Sequence, residues 1–291
     1  MKQIFLIISI IFLFNGCFDS AQEKELKIST NSWVGYAPLF YAKEKGYLKD
    51  LNIKLIINVS LAEAMDVYSV GRADMVTTTQ HEYYSIKRSQ NNIVPLVLID
   101  RSYGGDMILS NVSITALKNA DKIFAYLEID SINSDILRDF IKANSIDEKK
   151  IVFIDKDQAQ MQDIENIKNS AIIIVTYSPY NVKLEKSGFK EIASTKGLDS
   201  MMVIDALCGT IDFRKQESKR LKQLKKVIDK SIKEVQKNTK VSYRVVSPFL
   251  SNISYSEYLK ALQKIKWINK PSKSLLAHIE KMGYKEKYLI K

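Results

Sequence analysis

From Glu25 onward, short runs rich in β-branched and apolar residues alternate with stretches whose apolar positions recur at helical spacing. Leu26-Lys27-Ile28-Ser29 predicts a first strand, and Pro38 then opens a helix, because proline is tolerated in a first turn; Gly46 stops it. Ile53 to Ile57 predicts a second strand, Ala62 to Val70 a helix ended by Gly71, and Asp74 to Thr78 a third strand. After the apolar strand Val94 to Ile99 the rhythm returns. Strands are expected at Lys122 to Tyr126, Ile151 to Ile154 and Ala171 to Val175, with helices over Ser134 to Asn144 and near Ala159 to Ile167. This is the pattern of β-α-β units on a parallel sheet, so the fold class is α/β.

The pattern runs twice, which predicts two α/β lobes. Residues 26–110 and 205–291 are expected in the first lobe and 111–204 in the second, with crossings near Ser110 and Met202. Leu221, Leu224, Ile228, Ile232 and Val235 form one stripe of a long helix. Helices from about Phe213 to Asn238 and Ser254 to Lys266 should cover the first lobe, the latter begun by the capping box Ser254-Tyr255-Ser256-Glu257. In each lobe a strand runs into polar and aromatic residues: Thr77 to Glu82 in the first, Thr176 to Tyr180 in the second. Open α/β sheets bind ligands outside the carboxyl ends of their strands, so two such lobes facing each other enclose a cleft.

Composition narrows the class. The chain has 291 residues, 46% of them hydrophobic, enough for a substantial core and too many for a disordered or fibrous protein. Its net charge of +11 is uneven: residues 211–291 carry 21 basic and 7 acidic residues, and the remainder is slightly acidic. The lysines of Lys219 to Lys226 lie opposite the apolar stripe, which reads first as a solvated helix face and second as attraction to anionic lipid or a partner; no nucleic-acid motif accompanies them. Two cysteines and two histidines, His81 and His278, without metal-ligand spacing, argue against zinc sites and a disulfide scaffold. Cys208, inside the apolar run Val203 to Cys208, is expected to be a buried small residue.

The amino terminus carries Met1-Lys2-Gln3, the apolar stretch Ile4 to Phe14 and then Asn15-Gly16-Cys17. Eleven residues are too few to span a bilayer, where about 20 are needed, but they suit the core of an export signal. The pattern resembles a bacterial lipoprotein signal: residues 1–16 would be removed, Cys17 lipidated, and 17–25 left as a tether. Phe14 and Asn15 depart from the commoner residues there, so an ordinary signal peptide or an uncleaved anchor stays open. Either way the folded part is expected outside the cytoplasm, in the periplasm and membrane-anchored on the lipoprotein reading.

Ser32 to Tyr47, Gly71-Arg72-Ala73-Asp74-Met75, Asp100 to Asp106 and Val175 to Tyr180 together resemble periplasmic solute-binding proteins of the nitrate, taurine and aliphatic sulfonate group, which includes binders of thiamine-pyrimidine precursors. The resemblance covers roughly residues 26–210. It implies a type II periplasmic-binding-protein fold, two lobes joined by a hinge, serving an ABC permease. Tyr177-Ser178-Pro179-Tyr180 stands where the group commonly has Trp-Glu-Pro-Tyr, which removes a glutamate and weakens any transfer of specificity.

The candidate ligand-binding residues are Trp33, Tyr36, Thr79, Glu82, Ser102, Gly105, Asp106, Ser131, Tyr177 and Asp205. Trp33 and Tyr36 lie in a loop after a strand, where aromatics suit ligand stacking or lobe packing. The glycines after Ser102 permit close backbone approach, or simply a turn. Ser131 is an N-cap whose neighbouring amides suit an anionic group. Glu82, Asp100, Asp106, Glu128 and Asp205 all flank predicted strand ends, with Arg101 the one arginine among those motifs. Carboxylates beside aromatic faces favour an amine-bearing or heteroaromatic ligand over a sulfonate. A binding protein that signals to a membrane sensor is the alternative role, and a thiamine-pyrimidine biosynthetic enzyme a more distant one, since no Gly-x-Ser-x-Gly elbow is present and His81 has no cysteine or second histidine near it. No catalytic residue, metal or cofactor is expected, and the chain is expected to act as a monomer.

Overall fold

The computed structural model describes residues 24–196 and 202–291. The signal segment, Cys17 and all but the end of the tether lie outside the described residues. In chain order the strands are β1 (Leu26–Asn31), β2 (Ile53–Asn58), β3 (Met75–Thr78), β4 (Ile93–Ser102), β5 (Asp106–Ser110), β6 (Ile123–Leu127), β7 (Ile151–Asp155), β8 (Ala171–Tyr177), β9 (Lys190–Ser194), β10 (Ile204–Thr210) and β11 (Ile265–Trp267). They build two sheets, ordered β11-β4-β10-β3-β1-β2 and β7-β6-β8-β5-β9. The β-α-β rhythm makes β2, β1 and β3 parallel, as it does β7, β6 and β8. The sheets are mixed rather than parallel throughout: β4, β10 and β11 add to the first antiparallel, and β5 and β9 run antiparallel in the second. Most of these extra strands flank the passages between sheets and enter from the opposite side.

Helices α1 (Ala37–Glu44) and α2 (Leu61–Ser69) link the parallel strands of the first sheet, and α3 (Gln80–Ser89) follows β3. Gly46 and Gly71 end the first two turns of chain at φ +78° and +74°, a backbone region that costs glycine little. In the second sheet α4 (Ile132–Asn144) follows β6.

The first crossing comes earlier than the expected Ser110. Ser102 still pairs with Ile265 in the first sheet, whereas Asp106 already pairs with Tyr177 in the second, so the chain passes over at Tyr103-Gly104-Gly105. Gly104 sits at φ +93°, and its N–H donates to Thr195 Oγ1 at 2.9 Å. On the return, Ser102 N donates to the carbonyl of Val203 at 3.0 Å, which ties the two passages together.

Two helices differ from expectation. The segment near Ala159 to Ile167 is helical only over Gln158–Met161. Met161 is buried but Ile167 is 53% exposed, so the apolar spacing finds no surface to cover beyond the first turn. The helix expected from Phe213 is broken at Glu217 into a short helix, Ile211–Gln216, and α5 (Ser218–Lys237). The whole stripe from Leu221 to Val235 on α5 is buried, and α5 packs along α1 on the first sheet. Helix α6 (Tyr255–Gln263) starts with both capping-box bonds: Glu257 N to Ser254 Oγ at 3.3 Å and Ser254 N to Glu257 Oε2 at 2.7 Å. Helix α7 (Lys273–Lys281) closes the chain's last helical layer. Cys208 is fully buried on β10.

Candidate functional site

The register of β4 and β10 sets Asp100 directly opposite Asp205. Both are buried, at 0% and 3% exposure. Cross-strand partners share a sheet face with Cβ atoms roughly 5 Å apart, and like charges there repel. Each carboxylate has a neutral donor from the segment after β1: Trp33, the N-cap of the 3-10 turn Val34–Tyr36, and Tyr36 within it. The indole Nε1 of Trp33 lies 3.3 and 3.4 Å from the two oxygens of Asp100, and the hydroxyl of Tyr36 donates to Asp205. Burial holds both aspartates well above the usual carboxylate range, and the charge of Asp100 raises Asp205 further. Burial also pushes the Tyr36 phenol up, with Asp205 and Asp100 adding to the effect, so Tyr36 remains a donor.

Trp33 is a wedge between the lobes rather than an exposed loop aromatic. A Cβ on Gly105 would lie 2.4 Å from Trp33 Cη2, and one on Gly35 would lie 2.1 Å from Asp100 Oδ2, so both positions need glycine for close approach. The indole meets Tyr177 of the second sheet edge-on, with centroids 5.6 Å apart, and the Tyr177 hydroxyl accepts from Asn31 Nδ2 at 3.0 Å. Beside this contact Asp106 N donates to Ser102 Oγ at 3.0 Å. Burial pushes the Asp106 carboxyl up to about 7; the Ser102 side chain beside the carboxyl opposes the rise, and the charge of Glu82 adds to it.

On the neighbouring wall Thr79 caps α3, and Glu82 completes a capping box by accepting from Thr79 N at 2.9 Å. The other oxygen of Glu82 accepts from Ile132 N at 3.0 Å, at the start of α4 in the other lobe. The helix start expected to hold an anionic group thus holds one of the protein's own carboxylates. Ser131 is committed locally: its hydroxyl donates to Glu128 O at 2.9 Å and accepts from Asn133 N at 3.2 Å. Glu128, Gln158, Asn133 and Thr176 form a buried chain, with Gln158 Nε2 donating to Asn133 Oδ1 and Thr176 Oγ1 to Gln158 Oε1, each at 2.8 Å. Burial pushes Glu128 up to about 8. Asn31 Oδ1, Glu128 Oε2 and Asn133 Nδ2 are buried without a hydrogen-bond partner, and such atoms are few in folded proteins. At the rim of this wall His81 Nδ1 of α3 meets Asp135 Oδ2 of α4 at 2.8 Å.

The ten residues expected from sequence therefore fall into two adjoining groups. Trp33, Tyr36, Ser102, Gly105, Asp106, Tyr177 and Asp205 meet around the crossing strands; Thr79, Glu82 and Ser131 join α3 to α4. Sequence reasoning noted Asp100 and Glu128 without assigning them to the site, and missed Asn31 and Asn133. An acid embedded in an apolar strand, as in Leu98-Ile99-Asp100, was the available signal for the first of these. Among the described residues no group of three or more His, Cys, Asp or Glu side chains is arranged to hold a metal ion.

Residues 33–240 match the family model described as "NMT1/THI5 like". The chain belongs to the NMT1/THI5-like family. Among curated proteins none matches it. The family fold is that of periplasmic binding proteins, and solved structures share it. One is a ligand-binding component of an ABC-type import system from Staphylococcus aureus with zinc bound, 15% identical over 91% of this chain and 96% of that one, TM-score 0.70. Another is the alkanesulfonate-binding protein SsuA from Xanthomonas axonopodis pv. citri bound to MOPS, 11% identical over 93% and 97%, TM-score 0.71. A third is the periplasmic nitrate-binding protein NrtA from Synechocystis PCC 6803, 16% identical over 80% and 68%, TM-score 0.66.

Two outcomes follow from the geometry of this candidate site in an NMT1/THI5-like chain. Trp33→Ala should destabilise the fold by about 3 kcal/mol, because it empties a packed position and leaves Asp100 without its donor. Urea denaturation measures this, and a stability equal to wild type would contradict the wedge. The His81–Asp135 pair should make lobe contact pH-dependent. The bond to Asp135 raises His81 above its ordinary 6.5 despite partial burial, with Glu82 adding to the rise and Arg88 opposing it. The bond to His81 lowers Asp135 below 3.8, helped by Arg138. The histidine's contribution is complete below 6.5 and is lost as pH rises through its higher folded value; that of Asp135 is lost only as pH falls through its depressed one. Interlobe distances from paired spin labels should lengthen as pH rises past the histidine's folded value, and Asp135→Asn should abolish that step.

Proposed function

We propose that this chain is an extracytoplasmic solute-binding protein that captures one small amine-bearing or N–H-rich heteroaromatic ligand between its lobes and delivers it to an ABC permease. The observation that carries this reading is the buried set Asp100, Asp106 and Asp205: the first accepts from the Trp33 indole, the last from the Tyr36 hydroxyl, and none of the three forms an ion pair among the described residues. A buried carboxylate without a counter-charge is costly, and a cationic or N–H-donating ligand removes that cost. The partnerless acceptors Asn31 Oδ1 and Glu128 Oε2 would take further N–H groups, and Trp33 and Tyr36 would supply aromatic edges. The same set offers sulfonate or nitrate no cationic side chain, so the ligands named for the structural neighbours are not carried over.

Membership of the NMT1/THI5-like family and the likeness to binding components of import systems support transport over catalysis. The Cys17 pattern supports a lipid anchor that keeps a monomer near its permease. Cys17→Ser should then abolish metabolic labelling with a fatty acid, and retained labelling would refute the anchor.

Ligand class is tested by thermal unfolding in a metabolite panel sorted by charge. Binding to the native state alone stabilises it by RT ln(1 + [L]/Kd), about 2.7 kcal/mol at a hundredfold excess over Kd. Amines or amino-heteroaromatics should raise Tm by several degrees while taurine, alkanesulfonates and nitrate leave it unchanged, and Asp205→Asn should cut the shift. Stabilisation by the anions alone would overturn the reading.

A further inference from the structure

The basic C-terminal region builds a cavity that shares no residue with the candidate site. It has a volume of about 650 Å³, in the range that accommodates a small organic molecule. It lies where the edge of β4 is left uncovered between two backbone contacts, Ile268 N to Ile99 O and Ile290 N to Leu96 O, both 2.8 Å. Leu98 of β4, Leu276 of α7 and Ile290 near the C-terminus line its apolar interior. Lys222, Lys226 and Lys233 of α5 stand along one side.

The charges around this cavity do not cancel. Asp229 is held by Lys225 at 2.5 Å, and Glu286 lies 3.6 Å from Lys291. Lys222, Lys226 and Lys233 are exposed and form no ion pair with any described residue. They recur on one face because positions three and four apart on a helix are neighbours, and the apolar stripe that docks α5 on α1 turns that face outward. An apolar interior with an uncompensated cationic wall matches a ligand that is apolar along its length and anionic at one end. The lysine stems can cover an alkyl chain while their ammonium groups meet its head.

We propose that this cavity binds a single-chain anionic amphiphile: one alkyl chain ending in a carboxylate or phosphate. The site is separate from the cleft and does not depend on the identity of the cleft ligand or on the lipid anchor. Its head-group wall is Lys222, Lys226 and Lys233, and its chain contacts are Leu98, Leu276 and Ile290.

The test is calorimetric titration of the full chain with dodecyl phosphate below its micelle concentration. Inorganic phosphate, dodecyltrimethylammonium and phosphatidylglycerol vesicles are run alongside. Saturable one-to-one binding of dodecyl phosphate is expected, weakened by added salt, with inorganic phosphate and the cationic amphiphile each at least about tenfold weaker. Reversing the three lysines together to glutamate should weaken binding by about tenfold or more, and Leu276→Glu, at a half-buried position, should weaken it with the thermal unfolding of both variants unchanged. Equal affinity for the cationic amphiphile, undiminished binding by the triple variant, or binding to vesicles without binding to the dissolved amphiphile would each overturn the proposal. The last result would mark this face as an electrostatic membrane-contact surface instead.

Discussion

Two buried aspartates on neighbouring strands govern this structure. Strand pairing brings Asp100 and Asp205 face to face in an apolar sheet, where two negative charges at that separation would be severely destabilising. The fold meets the problem with neutral donors, the indole of Trp33 and the phenol of Tyr36, and by holding both carboxyls well above their ordinary range. Much of the local architecture serves that arrangement. The 3-10 turn after β1 and its N-cap place the two donors, Gly35 leaves room for the carboxylate, and Gly105 leaves room for the far edge of the indole. Because Trp33 also meets Tyr177, the same side chain that quiets Asp100 joins the two sheets.

The second wall repeats the principle with backbone amides as the donors. Glu82 is stabilised by amides at two helix starts at once, its own α3 through the capping box and α4 of the other lobe through Ile132 N. Lobe contact thus uses charges that a separated arrangement would leave to water. The proposed solute-binding role needs this balance: the interlobe contacts must be modest enough to open and specific enough to close around one ligand.

The alternation of strands and helices was legible in the sequence because it rests on local periodicity and on glycine and proline at element ends. Gly46, Gly71 and the Ser254–Glu257 box act over a few residues, and the buried stripe of α5 follows from helical spacing alone. Features that depend on register were not legible. The opposition of Asp100 and Asp205 joins residues over a hundred positions apart, and the crossing at Tyr103-Gly104-Gly105 becomes visible only when Asp106 is seen to pair with Tyr177. Thr79-x-x-Glu82 carried a capping-box signal, yet its residues were assigned to ligand binding alone; the partner of Glu82 in the other lobe could be found only in three dimensions. The helix expected near Ala159 to Ile167 had the spacing but not the surface to pack against.

On the proposed function, the buried carboxyls of the candidate site hold protons that an amine-bearing ligand's charge displaces. Asp106 at about 7 and Glu128 at about 8 are partly protonated near neutral pH. Calorimetry of the best ligand from the charge-sorted panel, run at pH 7 in two buffers of different ionisation enthalpy, counts the protons exchanged on binding. Net proton release is the result this account requires. Proton uptake, or binding with no proton exchanged, would contradict it.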